Sequence, residues 1–90
     1  MNAGPDQQPI VGLLYTLTAS FTDQDNDGPW SYRIDWDDGS SPSTGSLPSQ
    51  GTFDVGHTYL VPLTTHTITV TVTDSHGASG SDTKVVNVVL

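Results

Sequence analysis

Ninety residues make one domain with a modest core, and its ten Asp, no Glu and only two fixed cations, Arg33 and Lys84, leave a net charge of −8. That charge excludes a basic face for nucleic acid or anionic lipid and is compatible with cation binding. The absence of Cys excludes disulfides, thiolate ligands and thiol nucleophiles, and no run resembles a signal peptide or a membrane span.

Residues 1–7 read as a linker or N-terminal arm leading to an edge strand over Gln8 to Val11, where Pro9 is tolerated because an edge can spare an amide hydrogen. After Gly12, the run from Leu13 to Phe21 alternates, with Leu13, Tyr15, Leu17, Ala19 and Phe21 directed inward. An acidic loop over residues 22–29 precedes a strand from Trp30 to Trp36, which sets Trp30, Tyr32, Ile34 and Trp36 on one face. Residues 38–52 are rich in Ser, Gly and Pro and predict a turn, a short edge strand near 43–48 and a second turn. Thr52 to Tyr59 predicts a short strand, and a connection around Pro62 follows. From His66 to Thr73, Ile68, Val70 and Val72 face in and four Thr face out. Asp74-Ser75-His76-Gly77 predicts a turn, and a last strand runs from about Ser81 to Val89 with Val86 and Val88 inward. Strand signals at short intervals with no helical period predict an all-β chain, an antiparallel β-sandwich of about seven strands without a disulfide.

The densest run of carboxylates is Asp23-Gln24-Asp25-Asn26-Asp27-Gly28. It matches the opening of an EF-hand loop, but the twelfth position is Ile34 rather than a bidentate Glu, and residues 30–36 read as strand, so an EF-hand is rejected. Two readings stand for these Asp: turn caps bonded to their own backbone, or oxygen ligands of a cation whose crowding would otherwise raise a pKa. Trp36 reads as the centre of the core. Trp30 and Tyr32 are candidate ligand-binding residues, because an exposed pair could stack on a polysaccharide or a collagen chain; the preferred reading of Trp30 alone is that it covers the end of the core. His57, His66 and His76 fit no metal spacing; His57 reads as structural, the other two as solvated. No nucleophile elbow is present and the sandwich is small for a deep pocket, so no catalytic residue is assigned.

Five pieces in order make the chain recognisable: Asn2-Ala3-Gly4-Pro5-Asp6, Phe21-Thr22-Asp23-Gln24-Asp25, Ile34-Asp35-Trp36-Asp37-Asp38-Gly39, His57-Thr58-Tyr59 and Val70-Thr71-Val72-Thr73-Asp74-Ser75-His76-Gly77-Ala78. With these the chain resembles the PKD (polycystic kidney disease) domain family of bacterial and archaeal type, over almost its whole length. It departs at Asp37 from the family's usual Trp-Asp-x-Gly-Asp-Gly-type turn, which bears on local turn geometry. The resemblance implies an immunoglobulin-like sandwich. It also implies a non-catalytic accessory module of a secreted or cell-surface protein, serving as spacer, adhesive unit or substrate-docking unit. The alternative is a carbohydrate- or collagen-binding module attached to a secreted hydrolase. Some bacterial members bind calcium at one end, and carried over residue by residue that site would use Asn2, Asp23, Asp25 and Asp74, with Asp27 as a substitute or water-mediated contributor. The expected partners are neighbouring domains of a parent protein, with polysaccharide or an extracellular protein as further candidates. The domain, residues 1–90, is expected to be a monomer excised from a larger multidomain protein.

Overall fold

The computed structural model describes residues 1–90, and every regular element in it is a strand: β1 Leu14–Phe21, β2 Trp30–Asp35, β3 Ser43–Leu47, β4 Gly51–Thr58, β5 Thr65–Thr73 and β6 Ser79–Asn87. One sheet pairs β1 with β4; the other runs β3-β2-β5-β6, and all pairings are antiparallel. Alternation explains the choice of faces. In β1, Tyr15, Leu17, Ala19 and Phe21 are buried while the intervening residues face solvent or are half-buried. In β5, Ile68, Val70 and Val72 are buried between Thr residues. The two inner faces close on a core whose largest fully enclosed side chains include Trp36, Tyr59, Leu17 and Ile34. A second, smaller cluster of Phe21, Trp30 and Val72 fills the end nearest the acidic loop. A nine-residue strand such as β5 spans about 30 Å, so the strands follow the long axis of a molecule measuring 43 × 22 × 17 Å.

The N-terminal arm differs from expectation. Residues 1–7 are part of the sandwich rather than a linker. Asn2 pairs with Ser20 of β1, Ala3 is fully buried, and Gln7 forms a parallel bridge to Val86 of β6. The arm thus passes from one sheet to the other. The edge strand over Gln8 to Val11 is reduced to one further bridge, Ile10 to Val89, because Pro9 lacks the N–H that a continuous ladder needs. Six named strands plus this bridged arm therefore stand where about seven strands were expected. Leu13 is exposed rather than inward. It belongs to the turn closed by its own N–H to the Ile10 carbonyl, so the alternation starts one turn later.

Candidate functional site

The acidic loop leaves β1 after Phe21 and is held by Gln50 from the β3–β4 turn. The Gln50 carboxamide accepts from Asp23 N at 2.6 Å and donates to the Asp23 carbonyl at 2.8 Å and to Asn26 Oδ1 at 3.0 Å. Asp23 in turn organises the loop. Its Oδ1 accepts from Asp25 N at 3.0 Å, and its Oδ2 accepts from Asp27 N at 3.3 Å and from Trp30 Nε1 at 2.9 Å. The indole hydrogen bond is the main reason the Asp23 carboxyl lies below the usual aspartate range; backbone N–H donors add to it. At Asp23 these donors outweigh the desolvation that pushes the other way.

Asp74 opens the turn after β5. Its Oδ1 accepts from the N–H groups of His76 and Ala78, each at 2.9 Å, and Gly77 takes a left-handed φ of 89° as the turn requires. The two loops are stitched together at Asp27, whose carbonyl accepts from Ser75 N at 2.9 Å and Ser75 Oγ at 2.8 Å. The Asp27 carboxylate lies 3.1 Å from His76 Nδ1. As a result Asp23, Asp27 and Asp74 each present a carboxylate oxygen within 4.8 Å of the others. A groove of about 270 Å³ adjoins them, lined in part by Met1, Thr22, Trp30 and Val72.

Of the residues expected to hold a cation, Asp23, Asp27 and Asp74 therefore converge. Asp25 is exposed and lies outside the cluster. Asn2 uses its side-chain oxygen to accept from Gly4 N at 2.8 Å, which secures the arm's own bend. The donor set is all oxygen, the chemistry that suits calcium, whose six to eight ligands would need carbonyl and water oxygens in addition to these three carboxylates.

The aromatic candidates sit differently from a stacking platform. Trp30 is only 4% exposed, packed edge-on against Phe21 at 5.3 Å between ring centroids. Trp30 thus covers the end of the core instead of standing half-exposed as a ligand platform: the hydrogen bond to Asp23 satisfies the indole N–H, so the whole residue can be buried. Tyr32 is half-buried. Its ring lies 5.3 Å from Phe53 and across Gly45, where any Cβ would come within 2.5 Å of it. Tyr15 is buried too. No exposed aromatic row forms.

At the other end of the sandwich, imidazoles are structural. His57 stacks on Trp36 at 4.4 Å and donates through Nε2 to Asp38 Oδ2 at 2.7 Å. Tyr59 donates to the Trp36 carbonyl at 3.0 Å. His66, expected to be solvated, instead stacks on Tyr59 at 4.8 Å and donates from Nδ1 to the Asp37 carbonyl at 2.7 Å. Asp37 takes φ 61° and accepts from Thr67 N at 3.0 Å, so its turn is a structural joint. Lys84 escaped notice in the sequence. It is 3% exposed, bonded to Gln7 Oε1 at 2.8 Å, with its ammonium 5.4 Å from the Tyr15 ring centroid. The signal was available, since two steps back from Val86 on a period-two strand points inward.

Comparison with known proteins gives a consistent result. The family model described as "PKD domain" matches residues 1–89. No curated protein matches the chain. Among solved structures, the PKD domain of an M14-like peptidase from a Thermoplasmatales archaeon is similar, with a TM-score of 0.76 and 24% identity, covering 97% of this chain and 89% of that one.

Proposed function

The chain belongs to the PKD domain family, and on that premise we propose that it is a non-catalytic accessory module of a larger extracellular protein, secreted or held at the cell surface. In this reading it spaces and orients neighbouring domains, and calcium stiffens its acidic end. The observation that carries the reading is the path of the chain. Met1 lies at the acidic end beside Asp23 and Asp74, while Val89 and Leu90 leave beside Ile10 at the opposite end of a 43 Å molecule. A sandwich entered at one pole and left at the other holds its neighbours apart by its own length. Asp23, Asp27 and Asp74 would hold the ion, which would neutralise the three carboxylates and tie the two loops together.

The alternative, a carbohydrate- or collagen-binding module of a secreted hydrolase, would draw on an exposed aromatic row, and Trp30 and Tyr15 are buried. Co-sedimentation with insoluble chitin, cellulose and collagen tests the choice. The spacer reading expects the domain to stay in the supernatant with all three. Saturable retention on any one of them, lost in Tyr32→Ala, would establish the binding module instead.

A further inference from the structure

The large apolar side chains that stand exposed are not scattered. All seven lie at the pole opposite the acidic loop, with exposures from 48% to 78%. Leu13 lies in the turn before β1 and Leu14 opens that strand, Leu60, Val61 and Leu63 occupy the β4–β5 connection, Ile10 forms the bridge to Val89 and Leu90 follows it. Backbone hydrogen bonds fix these segments to one another: Gly12 N to the Tyr59 carbonyl at 2.9 Å, Val11 N to the Val89 carbonyl at 2.9 Å, and Leu63 N to the Val88 carbonyl at 2.8 Å. The surface is thus preformed. Residues 7–14, 60–66 and 88–90 contain no Asp, Lys or Arg, in a chain of net charge −8. Asp37 and Asp38 of the turn after β2 stand at the same pole, their carboxylates engaged by Thr67 N and His57 Nε2. Single exposed Leu residues need no explanation, but apolar side chains gathered at one pole on segments without a charged side chain mark an interaction surface.

We propose that this pole is the docking face for a neighbouring domain of the same polypeptide, one that meets it with an apolar surface of its own. The inference rests on the accessory-module reading. Size selects the occupant. A 22 × 17 Å cross-section offers roughly 400 Å², about half of the ~800 Å² per partner that a stable complex of free molecules buries. A tethered neighbour, at an effective concentration on the order of millimolar, can be held by a face that small. β6 leaves its sheet at this pole, so a domain joined beyond it is tethered within a few residues of the patch.

The test compares the natural polypeptide, extended through the domain that follows Leu90, with the 90-residue domain by methyl NMR. The Leu13, Leu60 and Leu63 methyl resonances shift in the longer chain. The double variant Leu60→Ser, Leu63→Ser broadens the interdomain distances seen by small-angle scattering, yet leaves the Tm of the 90-residue domain within about 2 °C of wild type. Unchanged methyl resonances in the longer chain overturn the proposal, as does a coding sequence that stops at Leu90. A concentration-dependent doubling of mass of the 90-residue domain, abolished by the double variant, also overturns it and assigns the face to a second copy. Failure of the accessory-module reading shows elsewhere, as polymer retention or hydrolytic activity of the isolated domain.

Discussion

The indole N–H of Trp30 donates to Asp23 Oδ2 at 2.9 Å, and this one hydrogen bond joins the small apolar cluster to the acidic loop. The two residues depend on each other. Burial of Trp30 needs an acceptor for its only polar atom, and the loop needs Asp23 fixed so that the N–H groups of Asp25 and Asp27 can fold onto it. Replacing Asp23 with Ala strands the buried indole N–H and two backbone donors together. Thermal unfolding followed by circular dichroism is expected to show Tm lowered by about 5–10 °C, with Asp23→Asn closer to wild type because it keeps one acceptor oxygen. Iodide is expected to quench the fluorescence of the native wild type weakly, since neither tryptophan is exposed, and that of Asp23→Ala more strongly.

Acid stability follows from three carboxyls held below their ordinary value of 3.8. Asp23 is held by Trp30. Asp82 is held by the Ala3 N–H at 2.9 Å. At Asp38 burial pushes upward, but hydrogen bonds from Ser40 and His57 outweigh it and bring the group down to about 2. Each lowered pKa means that the unfolded chain binds the proton more tightly than the folded one. The stabilisation is therefore fully present above about pH 4 and is lost as the pH falls toward 2. The Tm is expected to drop by on the order of 10 °C between pH 5 and pH 2.5, and by less in Asp38→Asn, whose Tm no longer follows that titration. An equal drop in the variant would remove Asp38 from the account.

Much of this fold is legible in the sequence because alternation is a local signal. β1 and β5 show which residues face inward, and Trp36 and the Asp74–Gly77 turn fall where their chemistry places them. What escapes is set by contacts across long stretches of chain. Ala3 looks like linker and Pro9 like an exposed edge until β1 and β6 arrive to bury them. His66 looks solvated until Tyr59 and Asp37 meet it. At the acidic end the resemblance names Asp23, Asp25 and Asp74 with Asp27 as a substitute, and the bend of the loop exchanges the two, sending Asp25 outward and setting Asp27 beside Asp23 and Asp74.

Lys84 poses the opposite problem, a cation buried without an acidic partner. Burial is the main cause of its pKa lying below the usual 10.5, with the charge of Asp6 opposing the shift. Its neighbour Gln7 Oε1 accepts from both the ammonium, at 2.8 Å, and the Tyr15 hydroxyl, at 2.6 Å. Gln7→Ala leaves two buried donors unpaired and is expected to cost ~1–3 kcal/mol in urea unfolding. Lys84→Met fills the same space without a charge and is expected to be neutral or stabilising. The sign of the pH dependence follows from the lowered pKa. The unfolded chain binds the lysine proton more tightly, so wild-type stability climbs as the pH rises toward 10, and Lys84→Met abolishes that climb. A strongly destabilised Lys84→Met would show that the ammonium's hydrogen bond outweighs its desolvation.

Calcium separates the geometry of the acidic end from its composition. If Asp23, Asp27 and Asp74 hold the ion, 10 mM calcium raises Tm by about 5–10 °C for a site whose dissociation constant is tenfold below that concentration, and EDTA reverses the gain. Asp74→Asn is the informative variant. The amide oxygen still accepts from the His76 and Ala78 N–H groups, so the turn persists while the charge is gone. Without calcium this variant is expected to match wild type or exceed it slightly, because like charges are relieved; with calcium it shows no gain. Asp25→Ala keeps the full gain, since Asp25 stands outside the cluster. A gain lost in Asp25→Ala and kept in Asp74→Asn would move the site along the loop. An unchanged wild-type melting curve in calcium would leave the three carboxylates as turn-forming groups alone.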